Sequence, residues 1–117
     1  SSGINNEKLE FTLKDEFNHL FNKFYSSTEQ LNKIEYSFGI KKPTQINLSW
    51  FSVFYEYMKS GNIEYVINKF NLNIGDFIKV AKEASEISLK LSVIYQDDSF
   101  EEINKIFDNN LIQKTMS

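Results

Sequence analysis

The sequence predicts an all-α protein: an antiparallel bundle of about five helices that contains a helix-turn-helix-like unit. Three observations lead there. Apolar residues recur at helical spacing in segment after segment, with no convincing alternating strand. The chain has 4 Gly and 1 Pro in 117 residues, too few turn residues for a sandwich of short strands. With 41% hydrophobic and 15% aromatic residues, it has enough apolar surface to offset the entropy of ordering one domain. That domain is predicted over residues 4–117, because Ser1 to Gly3 read as a cloning scar.

The first helix is predicted to start near Thr12 or Asp15 and to stop at Gly39, a residue suited to a left-handed cap. Phe17, Leu20, Phe24, Leu31, Ile34 and Phe38 fall at steps of three and four, with Ser27 filling the polar gap. The apolar phase continues through Ser26-Ser27-Thr28, which favours one long helix. The competing reading starts a second helix there, with Ser26 and Glu29 as a capping box. Ile40 to Gln45, which includes Pro43, is a loop. Asn47 or Ser49 can cap the second helix, Leu48 to Met58, which Gly61 ends. Phe51, Phe54, Tyr55 and Met58 share one face, and Trp50, Val53 and Tyr57 cover another, so this helix is expected to be central.

A short helix from Asn62 to about Phe70 carries Ile63, Val66, Ile67 and Phe70. Asn71-Leu72-Asn73 is a tight turn. Asn73 caps the fourth helix, and Asp76 meets the positive end of its dipole. That helix is expected to reach Tyr95, burying Ile74, Phe77, Ile78, Ala81, Ala84, Ile87, Ser88, Leu91 and Ile94 or Tyr95. Gly75 in its first turn is tolerated and lets helices approach closely, as Gly61 does at the end of the second helix. After the turn Gln96-Asp97-Asp98, Ser99 and Glu102 form a capping box for a last helix bearing Phe100, Ile103, Ile106, Phe107, Leu111 and Met116.

Chemistry-bearing patterns are few. No Cys is present, which excludes disulfides and thiolate metal sites, and one histidine, His19, cannot make a zinc site alone. No Gly-rich phosphate loop, nucleophile motif or cofactor motif occurs. Asp97-Asp98 and Glu101-Glu102 lack the loop of a calcium site and read as a solvated turn and helix start. The expectation is therefore a chain with no catalytic residues, no metal and no cofactor. No apolar run approaches the length of a membrane span and no signal peptide opens the chain, so an intracellular protein is expected. The net charge is −3 and every basic residue is Lys, so there is no broad basic field and no guanidinium fork for phosphate or guanine. Gly75, Asp76, Phe77 and Ile78 make the start of the fourth helix acidic and apolar, which opposes insertion into a DNA groove. Further along, Lys79, Lys82, Glu86 and Lys90 lie near one line. They read either as a solvated face held by Lys82–Glu86–Lys90 pairs or as a strip touching a nucleic-acid backbone. The aromatics from Trp50 to Tyr57 read as core, with base-stacking platforms as the alternative.

Leu48 to Ile94 resembles the C-terminal helical (DSHCT) domain of superkiller-type DExH-box RNA helicases. The resemblance rests on Val53-Phe54-Tyr55-Glu56-Tyr57-Met58-Lys59-Ser60-Gly61, on the short helix Ile63 to Phe70, and on Gly75-Asp76-Phe77-Ile78-Lys79 opening a long helix. Ile34-Glu35-Tyr36-Ser37-Phe38-Gly39-Ile40 looks like the end of the family's preceding helix, and Ser99 to Ser117 fits its final region. Lys79 and Lys82 stand where the family usually has Arg, and Tyr57 stands for its Trp. The resemblance implies a non-catalytic accessory domain that packs on a helicase motor core and guides single-stranded RNA. Weak, salt-sensitive contact would come from Lys79, Lys82, Glu86 and Lys90, with Gly61 and Gly75 at helix junctions. The other expectation is a helical module that binds another protein and has no nucleic-acid role.

Overall fold

The computed structural model describes residues 2–40, 44–108 and 112, with side chains from Lys14 onward. Among the described residues there are five helices and no strand: α1 (Ser2–Ser37), α2 (Ser49–Ser60), α3 (Ile63–Phe70), α4 (Ile74–Tyr95) and α5 (Ser99–Ile106). Ser1, the loop residues Lys41, Lys42 and Pro43, and the expected core residues Leu111 and Met116 lie outside the described residues.

α1 sets the dimensions. Its 36 residues, at about 1.5 Å each, account for the 56 Å long axis of the molecule. It begins at Ser2, well before Thr12, and runs unbroken through Ser26-Ser27-Thr28. Once an amphipathic stretch is nucleated by packing, extending the helix adds one hydrogen bond per residue fixed, so the polar start joins it. Ser2 and Gly3, read as a scar, are helical. At the other end Gly39 takes φ +80°, its N–H bonds Tyr36 O at 3.0 Å, and the Ile40 N–H reaches back to Glu35 O at 2.9 Å. These two bonds form a Schellman stop, with glycine in the position where a Cβ is penalised.

The pairings show that α1 runs antiparallel to its neighbours. Phe17 meets Tyr55 and Tyr25 meets Phe51 across α1 and α2, at ring separations of 5.3 and 6.0 Å. Lys23 pairs with Asp97, Gln30 with Tyr95 and Glu35 with Lys90 across α1 and the end of α4. α5 folds back on α4, where Asn104 Nδ2 donates to Ser85 O at 3.1 Å and to Ser85 Oγ at 2.7 Å.

The α1 stripe differs from the expected one. Phe17, Phe24 and Leu31 are buried, but their companion row is Phe21, Thr28 and Glu35 rather than Leu20, Ser27 and Ile34. Phe21 sits at the centre of the core. Its ring lies 4.4 Å from Phe17, 5.3 Å from Phe51, 5.7 Å from Phe54 and 6.1 Å from Phe107. Thr28 is tolerated in the interior because its hydroxyl donates to Phe24 O at 2.7 Å. Ile34 and Phe38 are 52% and 79% exposed. A seven-residue repeat on a straight helix drifts about 20° per heptad, and by Phe38 that drift has carried the row off the core. Ile74, Ile94 and Tyr95, expected inside, are also exposed, whereas Phe77, Ala81, Ala84, Ser88 and Leu91 are buried as expected.

The caps follow one rule with three variants. Asn47, Asn73 and Asp97 each turn a side-chain oxygen onto the N–H two residues on: Ser49 at 3.0 Å, Gly75 at 2.7 Å and Ser99 at 3.0 Å. Asn62 caps α3 by accepting from the Tyr65 N–H at 3.1 Å. The expected Ser99–Glu102 box is thus replaced by Asp97, which also accepts from the Ser99 hydroxyl at 2.7 Å. Gly61 ends α2 at φ +65°, and Asn71 ends α3 in the left-handed region. The α3–turn–α4 unit carries the predicted helix-turn-helix look.

Candidate functional site

Lys79, Lys82, Glu86 and Lys90 are all exposed on α4, but they do not act as one strip. The expected Lys82–Glu86–Lys90 ladder does not form. Lys90 Nζ instead crosses to Glu35 Oε1 of α1 at 2.6 Å. Lys79 and Lys82 join no ion pair among the described residues. They are held on a 22-residue helix whose opposite face is anchored by Phe77, Val80, Ala81 and Ala84, so their Cα positions are fixed while the ammonium ends stay solvated.

Glu86 and Lys90 belong to a cleft of about 290 Å³ between α1 and α4, bordered also by Ile40 and Thr44. Leu31, Ile40 and Ile87 give it apolar surface, Asn32 and Thr44 line it, and Glu35, Glu83, Glu86 and Lys90 are the charged side chains of its lining among the described residues. The Thr44 hydroxyl donates to Asn32 Oδ1 at 2.9 Å, and both Glu83 oxygens accept from the Gln45 N–H, at 3.1 and 3.2 Å. These contacts fasten Thr44 to α1 and Gln45 to α4. Sequence reading missed Glu35, Glu83, Asn32 and Thr44. The signal available was the antiparallel register of α1 and α4, which brings residue 35 level with residue 90.

The two glycines do not act as helix-junction packers. A Cβ at Gly61 would have no neighbour within 4 Å; that residue is needed for its positive φ. A Cβ at Gly75 would stand 2.9 Å from Asn73 Oδ1, the cap of its own helix, and no neighbouring helix comes within 4 Å.

Other groupings are simpler. At the α2–α3 end, Lys69 pairs with Glu56 at 3.0 Å and lies 5.8 Å from the Tyr65 ring, while Lys59 lies 5.8 Å from Tyr55. The Glu56 hydrogen bond raises the Lys69 ammonium above its usual range. His19 lines a shallow groove with Glu16 and Glu102, yet no group of three or more His, Cys, Asp or Glu among the described residues could hold a metal ion. Trp50, Phe51, Phe54, Tyr55 and Tyr57 are buried or half-buried in the core cluster, which favours packing over base stacking. Among the described residues, no helix is long and apolar enough to cross a membrane.

Large apolar side chains remain exposed at the C-terminal ends of α1 and α4: Ile34, Tyr36, Phe38 and Ile40 on one, Leu89, Val93, Ile94 and Tyr95 on the other. Leu89, Leu91, Val93, Ile94 and Tyr95 together cover most of the circumference of α4, and only Leu91 is buried by this chain. A helix end that is apolar on most sides is normally covered. Comparison of the chain with family models, curated proteins and solved structures yields no match.

Proposed function

We propose that this chain is a non-catalytic helical accessory domain that packs on the motor core of an ATP-dependent RNA helicase and guides single-stranded RNA past α4. The reading combines the resemblance of Leu48 to Ile94 to the DSHCT domain with one observation. Lys79 and Lys82 are exposed, rigidly based and without ion-pair partners among the described residues. Point charges of this kind hold phosphates and carry no base specificity. Lys90 is left out of the contact set, because Glu35 already takes its charge.

The test is the binding of a single-stranded oligonucleotide, such as a poly(U) oligomer, across a range of salt concentrations. Binding is expected to be weak and to fall with salt. Each lysine that neutralises a phosphate adds about 0.7 to the steepness of log K against log salt. K79A/K82A should therefore flatten the slope by about 1.4. Unchanged binding in that double variant removes the assignment.

A second reading, a protein-interaction module with no nucleic-acid role, is favoured by the exposed apolar ends of α1 and α4 and by the net charge of −3. It expects no salt-dependent RNA binding and a partner that covers Phe38 and Val93.

A further inference from the structure

We infer that the face of α4 turned away from the core is a self-association surface, on which a second copy of this chain lies antiparallel to the first. The inference goes beyond the RNA reading and names the partner that the interaction-module reading leaves open. Lys82, Glu86, Leu89 and Val93 follow one another at steps of four, three and four, so they form one row along the helix. That row lies opposite the buried row of Phe77, Ala81, Ala84, Ser88 and Leu91, and all four of its members are exposed. Leu89 and Val93, one turn apart, are 50% and 77% exposed and form its apolar centre.

The order of charges along the row selects the occupant. Lys82 stands on one side of the apolar pair, and Asp98 stands in the turn beyond the other, three residues past Tyr95. Neither joins an ion pair among the described residues, and Asp98 makes no side-chain cap bond to α5. Both are exposed and lie eight positions from Lys90, before and after it. A two-fold axis crossing α4 at the level of Lys90 therefore packs Leu89 and Val93 against the same pair of the second copy. It also sets each Lys82 opposite the other copy's Asp98, twice over. A parallel arrangement would oppose Lys82 to Lys82 and Glu86 to Glu86, which is repulsive. The complement to this face is thus carried by the chain itself. Exposed pairs of this kind fix register more than affinity. The row is about 24 Å long and 10 Å wide, so each copy covers a few hundred Å², under the roughly 800 Å² per partner of a standard interface. The dimer is accordingly weak and governed by protein concentration.

The experiment is sedimentation equilibrium of the full chain, loaded from roughly 10 μM to 1 mM, the range in which so small a contact assembles. The average mass should rise with loading from that of one chain toward that of two. L89S/V93S should hold it at one chain. K82E and D98K should each weaken association several-fold, and K82E/D98K, which exchanges the two charges across the axis, should restore it. Circular dichroism reports whether each variant keeps its helices. A mass that stays at one chain throughout, association that survives L89S/V93S, or a double exchange no better than its singles overturns the inference. So does association that is lost in F38S instead, which would place the contact at the end of α1, or that appears only with poly(U). L89S/V93S retains Lys79 and Lys82, so a lost dimer with poly(U) binding intact upholds both the dimer and the RNA role. Association of the wild-type chain without any poly(U) binding upholds the dimer and removes the RNA role.

Discussion

Glu35 and Lys90 are 55 positions apart and meet at 2.6 Å, fastening the last turn of α1 to the outer face of α4. Both ends keep solvent contact, with side-chain exposures of 22% and 53%. A pair this open is worth roughly 0.2–1 kcal/mol. A double-mutant cycle with E35Q and K90M should return a coupling in that range by chemical denaturation, shrinking as salt is added. A coupling of several kcal/mol would mean that the contact is far better shielded than the geometry shows.

Phe21 and Leu20 are neighbours in sequence with opposite expected consequences. Phe21 is fully buried among five other rings, whereas Leu20 only edges the core. F21A should destabilise the fold by about 3–5 kcal/mol, the usual range for emptying a buried phenylalanine site. L20A should cost clearly less, and I34S or F38S should stay within about 0.5 kcal/mol, as exposed positions do. Urea midpoints of the four variants would establish or reverse this order.

At Gly75 two rules conflict. Alanine is favoured over glycine in a helix by about 1 kcal/mol. A Cβ here, however, meets Asn73 Oδ1 at 2.9 Å and disturbs the oxygen that holds the Gly75 and Asp76 N–H groups. G75A is therefore expected to destabilise, and N73A to lose about 1 kcal/mol through the missing cap. If G75A raised the melting temperature, the cap would have to be adaptable.

Asp97 gives the fold an acid-sensitive joint. The Lys23 ammonium, followed by the hydroxyl and N–H of Ser99, lowers its carboxyl from 3.8 to about 2. A carboxylate depressed on folding contributes stability above its unfolded value, and that contribution disappears as pH falls through the folded value. Wild-type protein should thus lose a small increment between pH 3.8 and about 2. D97N keeps an oxygen for Ser99 but carries no charge, so its melting temperature should fall less across the same window. Parallel acid profiles for the two proteins would deny the Lys23 contact a role.

Helix number, helix order, the Asn73 cap and the Gly39 and Gly61 stops can all be read in the chain, because each depends on residues within a few positions of one another. The α1 stripe can be read only in part. Leu20 is as plausible a core residue as Phe21, Ser27 and Thr28 are both hydroxyl residues, and Ile34 is far more apolar than Glu35, so local hydropathy does not single out the buried row. What decides is the set of rings from α2 and from Phe107 that Phe21 enters. The partner of Lys90 escapes the sequence for the same reason: Glu86 is close along the chain, but the tertiary register brings Glu35. The line of four α4 residues is visible in the spacing, and its division into two solvated lysines and two cleft residues is not.

Trp50 is the sole tryptophan of the chain, and its half-buried indole leans on Phe54 at 5.7 Å with the rings 31° apart. The molecule therefore carries its own optical gauge. Ultraviolet emission excited at the indole reads the packing around Phe54 from a single location, without a label. A red shift would mark water reaching those rings, while ligands confined to the outer face of α4 would leave the spectrum unmoved.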